Sequence, residues 1–153
     1  MSNVKKKLSI GFYLSLLATA VTVAATIVYV MNSKHDYYKD YNSRIVLLSV
    51  VVIVLEILLP VLICLMGEKR WLDILYLLPP VLLGNTMVSF IAARVASAGL
   101  ILGSDLEKGN AVAQSALSQA FLGIGLYLLA IVLSIVRSFM SQTKEIADKP
   151  SKE

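Results

Sequence analysis

The chain has almost none of the chemistry that marks an enzyme or a metal protein. It carries one cysteine and one histidine in 153 residues. A lone Cys64, set inside an apolar block, excludes an intrachain disulfide, a CxxC redox pair and a thiolate metal site. It is expected to be a small buried or lipid-facing residue. A lone His35 in a loop leaves no His/Cys ligand set for a metal. No phosphate-binding glycine loop, zinc motif, nucleophile elbow or N-x-S/T sequon is present. Catalysis needs several groups in defined roles, and only Glu56 offers itself, so no enzymatic activity and no cofactor are expected. The net charge of +4 does not indicate nucleic acid, because the basic residues flank apolar blocks, where membrane topology accounts for them.

What is abundant is apolar length. The hydrophobic fraction is 58% and the mean hydropathy is +0.78, above the range of ordinary soluble domains. These residues fall into four blocks, 8–31, 45–66, 74–102 and 111–136. Each block reaches the roughly 20 residues that a helix needs to cross about 30 Å of hydrocarbon. Unpaired backbone groups are too costly in lipid for any conformation but helix, and the short alternating segments of a barrel strand are missing. The pattern predicts an all-α polytopic membrane protein, an antiparallel four-transmembrane-helix bundle over residues 1–140. A polar tail over residues 141–153 is expected to be disordered.

The first block also fits a secretory signal. Lys5, Lys6 and Lys7 form a basic region, and Ala18-Thr19-Ala20 has the small-x-small form of a cleavage site. The apolar run continues to Met31, however, which gives an uncleaved anchor full spanning length. Basic residues then set the orientation. One side holds Lys5, Lys6, Lys7, Lys69, Arg70, Arg137, Lys144, Lys149 and Lys152. The other holds Lys34, Lys39, Arg44 and Lys108. The excess predicts a multi-pass protein of the plasma membrane with both termini cytoplasmic. Trp71, Tyr29, Tyr37, Tyr38, Tyr41 and Tyr76 sit near span ends, where interfacial aromatics belong.

Three connections carry local signals. The loop 32–44 is short and is expected to rest on headgroups or cap the bundle. The turn 67–70 is so short that spans two and three must be antiparallel neighbours. In 103–110, Ser104 and Glu107 have capping-box spacing, Gly109 suits a helix stop and Asn110 suits the N-cap of span four, which predicts a single helical turn. Asp105 and Glu107 are too few to specify calcium. Pro79-Pro80 predicts a break before the main part of span three.

Helices associate in lipid where small residues allow close approach. Span one has Gly11, Ser15, Ala18, Thr22, Ala25 and Tyr29 in steps of four and three, the 3.5-residue repeat of left-handed packing. Span three repeats those steps with Asn85, Ser89, Ala92, Ala96, Gly99 and Gly103. Span four has Ala111, Ser115, Ser118, Leu122 and Gly125. Span two shows no such seam. Spans one, three and four are therefore expected to pack most tightly.

Few polar groups lie at membrane depth. Glu56 is in the middle of span two, where a carboxylate costs about 2.5–3.5 kcal/mol on insertion scales, so a neutral, paired or hydrated state is expected. Pro60, four residues on, removes the helical partner of the Glu56 carbonyl. Arg94 lies in span three about 200° around the helix from Ala92. It therefore points away from the proposed seam, towards lipid, span two or another subunit. Snorkelling to the interface would accommodate it. The alternative is an ion pair with Glu56. Gln114, Ser118 and Gln119, at a depth similar to Arg94, make up with Thr22, Thr26 and Ser97 either interhelical hydrogen bonds or the lining of a polar cavity.

The segment Ala93 through Asn110 and the Lys-Lys-Lys-Leu-Ser start at Lys5 resemble those of uncharacterised small four-span proteins of Gram-positive bacteria. The resemblance implies no activity. The architecture is also similar to that of small multidrug exporters and tetraspan adaptors. Exporters keep their essential acid in span one, whereas the intramembrane acid here is in span two. The expected role is a non-enzymatic accessory or scaffolding subunit that contacts lipid and another membrane protein or a second copy of itself. The alternative is a small oligomeric transporter or channel with Glu56 and Arg94 near its path.

Overall fold

The computed structural model describes residues 6–67, 70–107, 109–141 and 143–145. Its body is four long helices: α1 (Ile10–Ser33), α2 (Ser43–Met66), α4 (Leu78–Gly103) and α5 (Ala111–Ser138), with a short α3 (Arg70–Leu75) before α4. All four long helices are apolar and long enough to cross a membrane. They form a four-membered ring in which α1 packs on α5 and α2, and α4 packs on α5 and α2. Every neighbour in the ring is antiparallel. The loops 34–42 and 104–110 share one end, here the loop end. The start of α1, the end of α5 and α3 share the other, here the terminal end.

The helix limits have local causes. Asn42 caps α2 by accepting from the Arg44 amide, and Asn110 caps α5 by accepting from Val112 and Ala113. Gly67, with φ 79°, ends α2 in backbone space that side chains disfavour. Span three begins at Leu78 rather than Ile74. Pro79 and Pro80 occupy its first turn, where a missing amide costs nothing, and Arg70–Leu75 becomes the separate turn α3. In 104–110, Glu107 closes a turn back on Ser104, and its carboxylate accepts from the Asn110 side chain.

Outside the bundle, β1 (Lys6–Leu8) and β2 (Thr143–Glu145) pair antiparallel, with Lys7 opposite Lys144. Thr143–Glu145 is thus paired strand where the polar composition suggested a disordered tail. Residues 146–153 lie outside the described residues.

The packing faces depart from the expectation in three helices. All six seam residues of α1 are buried. The span-three seam is not: Asn85, Ala92, Ala96, Gly99 and Gly103 are exposed and Ser89 only partly covered. The buried face of α4 is Pro79, Leu83, Thr86, Phe90, Arg94 and Ile101. In α5, Ala111, Ser115, Ser118, Leu122 and Gly125 are exposed. The true line there is Ala113, Ala116, Ala120, Gly123, Tyr127, Ala130, Ser134 and Arg137, again in steps of three and four. Span two also has a seam, Ile45, Ser49, Val52, Glu56, Leu59 and Ile63, with the same steps. It was invisible because aliphatic residues occupy both faces. The bundle centre is aromatic: Phe90 meets Tyr29 edge-on at 5.0 Å and Tyr127 at 6.3 Å. Gly123 lies against it, so close that a Cβ there would be 2.7 Å from Phe90 Cε1.

Candidate functional site

Buried charge gathers in two places, one near each end. At the loop end, Arg94 is 2% exposed. It sits on the inner face of α4 because Phe90, one turn earlier, is fixed in the aromatic core. Its Nε donates to Asn32 Oδ1 at 2.7 Å, Nη2 donates to Ser33 Oγ at 3.2 Å, and Nη1 pairs with the Asp40 carboxylate. Asn32 in turn donates to the Ala116 carbonyl at 2.8 Å, tying α1 to α5. The Tyr38 ring covers the guanidinium at 4.1 Å from its centroid. Tyr37 packs beside Ile101 and Leu117. The 34–42 loop therefore caps the bundle. Burial pushes the Tyr38 phenol above its ordinary value, and the nearby guanidinium opposes that rise.

Nearer the terminal end, Glu56 is 1% exposed and Arg137 is fully buried. Glu56 Oε1 accepts from Ser134 Oγ at 2.6 Å, and Oε2 lies 3.3 Å from Thr22 Oγ1. Ser15 Oγ donates to the Glu56 carbonyl at 2.7 Å. That carbonyl is the one Pro60 deprives of its amide, and α2 continues as helix through Pro60 to Met66. Arg137 Nη1 donates to the same Ser15 oxygen at 2.8 Å. The Tyr76 ring lies under the guanidinium at 4.7 Å.

The expected site is thus divided. Glu56 and Arg94 do not meet: Glu56 is held by hydroxyls of α1 and α5, and Arg94 takes Asp40 instead. Arg94 neither snorkels nor faces lipid, because the seam thought to lie opposite it is itself the outer face. Gln114 is half-buried, Ser118 is exposed, and Gln119 keeps a buried Oε1 with no hydrogen-bond partner among the described residues. None of the three joins either cluster. Thr26 gives its hydroxyl to the Thr22 carbonyl. Tyr29 and Tyr76, read as interfacial, are buried; the Tyr29 hydroxyl accepts from the Asn42 amide.

Sequence reasoning missed Asp40, Asn32, Ser134 and above all Arg137, which was counted as a loop charge. The available signal was spacing: Tyr127, Ala130, Ser134 and Arg137 continue one face of α5. Among the described residues, no group of three or more His, Cys, Asp or Glu side chains is placed to hold a metal.

A shallow apolar cleft of about 100 Å³ opens between α4 and α5, lined by Ile91, Val95, Ala98, Leu117, Phe121 and Ile124, with Arg94 at its floor. The α4 residues Ala92, Ala96 and Gly99 and the α5 residues Ser118, Leu122 and Gly125 each lie one residue, about 100°, beyond the cleft lining. Because the helices are antiparallel, both rotations lead to the same outer side of the pair. No family profile, curated protein or solved structure matches the chain.

Proposed function

We propose that this integral membrane protein is a non-enzymatic partner-binding subunit, and that its docking face is the outer side of α4 and α5. One observation carries the reading. Two small-residue lines at helix-packing period, Asn85–Gly103 on α4 and Ala111–Gly125 on α5, flank the α4–α5 cleft, and the bundle's own packing uses neither. Close approach of a further transmembrane helix needs such a surface. A Cβ added at Gly99 or Gly125 would meet nothing within 4 Å, so the face has room for a partner's side chains. The interior supports the same reading, since Arg94 and Glu56 each have protein partners within the bundle. The plasma membrane, with both termini on the cytoplasmic side, is the placement that the excess of basic residues at the terminal end favours.

The test is association in the bilayer. Ala92→Leu and Ala96→Leu should abolish energy transfer between labelled copies, or co-purification of a partner, while leaving thermal unfolding of the isolated bundle unchanged. Recovery of the unmodified protein as a lone monomer with no partner, in lipid as in detergent, sinks the proposal. Reporter fusions at either end test the orientation.

A further inference from the structure

We propose that Glu56 is a proton-binding site, seen here with its proton on, and that the Nε/Nη2 edge of Arg137 receives the carboxylate when the proton leaves.

Each hydroxyl has one proton to give. Ser15 gives its proton to the Glu56 carbonyl, since its other partner, Arg137, is a donor. Thr19 gives its proton to the Ser15 carbonyl. Thr22 Oγ1 lies 2.9 Å from the Ala18 carbonyl and 3.3 Å from Glu56 Oε2. The carbonyl can only accept and is the shorter contact, so the Thr22 proton belongs there. With that proton committed, the 3.3 Å contact closes as a full hydrogen bond when Oε2 carries an acid proton, the form the proposal assigns. Ser134, with its proton on Oε1, fits either form.

Arg137 supplies the second, independent observation. Its Nη1 is bonded to Ser15, while Nε and Nη2 have no hydrogen-bond partner among the described residues. Those two nitrogens form the guanidinium edge that takes a carboxylate through two parallel bonds. An ionised, fully buried Glu56 would face only the Thr19 and Thr22 hydroxyls at Oε2, both already given to backbone carbonyls, beside two Arg137 donors without an acceptor, and moving to that edge would relieve both deficits. A neutral carboxyl gains nothing from the move and stays with the hydroxyls. The Arg137 charge is meanwhile eased by the Tyr76 ring and by its place in the last turn of α5, at the negative end of the helix dipole.

Among the described residues, the groups facing Glu56 are few. α1 presents the hydroxyls of Thr19 and Thr22, and α5 presents Ser134 and Arg137. Tyr76, at the α3–α4 junction, faces Arg137. Among these, Arg137 carries the only other charge. In the proton-releasing step the carboxyl O–H bond breaks, its electron pair stays on the carboxylate, and the proton passes to water. Two N–H···O bonds to Arg137 replace the contacts with Ser134 and Thr22.

The test uses the full chain in lipid nanodiscs with its five glutamates labelled with 13C at the carboxyl carbon. At pH 7 one signal should read as a neutral acid and be absent in Glu56→Gln. Five ionised carboxyls overturn the proposal without any variant. Thr22→Val separates the two hydrogen-bond assignments by sign. Loss of an acceptor for the acid proton lowers the Glu56 titration midpoint by about one pH unit. An unchanged or raised midpoint overturns the assignment. Arg137→Gln, which removes the receiving edge, should raise the midpoint, and no change there overturns the role given to Arg137.

Discussion

Two arginines with similar surroundings are handled in opposite ways by this bundle. Arg94 and Arg137 are both buried, both stand over a tyrosine ring, and both donate to a hydroxyl of α1. Arg94 also meets an acid from a loop, Asp40, whose side chain is 40% exposed and which water can still reach. Arg137 feels the acid Glu56 on a neighbouring helix, 1% exposed and bonded elsewhere. An ion pair forms where one partner stays hydrated. Sealed inside the bundle, the acid takes hydroxyls instead, because desolvating two opposite charges can cost more than their attraction returns.

The comparison can be broken in graded ways. Arg94→Met should have the largest effect, about 3 kcal/mol lost in equilibrium unfolding from mixed micelles. It removes the side chain that bonds the side chains of Asn32, Ser33 and Asp40 and leaves buried polar atoms unpartnered. A loss under about 1 kcal/mol would show that the loop-end pair is not structural. Gly123→Ala should cost about 1–3 kcal/mol by driving a methyl into Phe90, on which Tyr29 and Tyr127 also stack. The core midway between the clusters is thereby tested without touching a charge. Glu56→Gln should cost less than about 1 kcal/mol, since an amide is a near replica of a neutral carboxyl and retains the Ser134 contact. A loss as large as that of Arg94→Met would mean that Glu56 is charged and the two ends are alike.

The smallest effect concerns Tyr38. Its phenol titrates above the ordinary value of 10.0 because burial disfavours the charged form. A group raised on folding stabilises fully below its unfolded value and loses that contribution as pH rises through the folded one. Stability should therefore fall at alkaline pH, beginning near pH 10. Tyr38→Phe should remove that part of the alkaline slope while changing neutral-pH stability little, because the Tyr38 hydroxyl has no hydrogen-bond partner among the described residues. Unfolding titrations of the two proteins from pH 7 to 11 give the comparison.

The four spans, their order and the Pro79-Pro80 break were legible in the sequence because each follows from length, polarity or a missing amide. Which face of a span turns inward was legible only in part. In water a buried face declares itself by being apolar, but lipid is as apolar as leucine, so that signal vanishes. On α1 the small and polar residues share one line, and that line is buried. On α4 the inward line is large, with Leu83, Phe90 and Arg94, while the small residues face out; the spacing was real and the side was wrong. On α5 two lines of similar period run on opposite faces, and Arg137 lay too near the helix end to be read as internal. Asp40 had no signal at all, since only the fold of the 34–42 loop brings it over Arg94.

Pro60 and Ser15 are best understood as a matched couple. The imino acid leaves a backbone acceptor bare at the centre of α2, and a hydroxyl from α1 takes the place of the lost amide. Alanine at position 15 alone should strand the acceptor, whereas alanine at both positions should restore an ordinary helical rung, so the double replacement is expected to be milder than the single one. The same hydroxyl also receives Arg137, and a repaired α2 would then leave that guanidinium without its anchor on α1. One oxygen atom thus couples a defect in one helix to the seating of a cation on another.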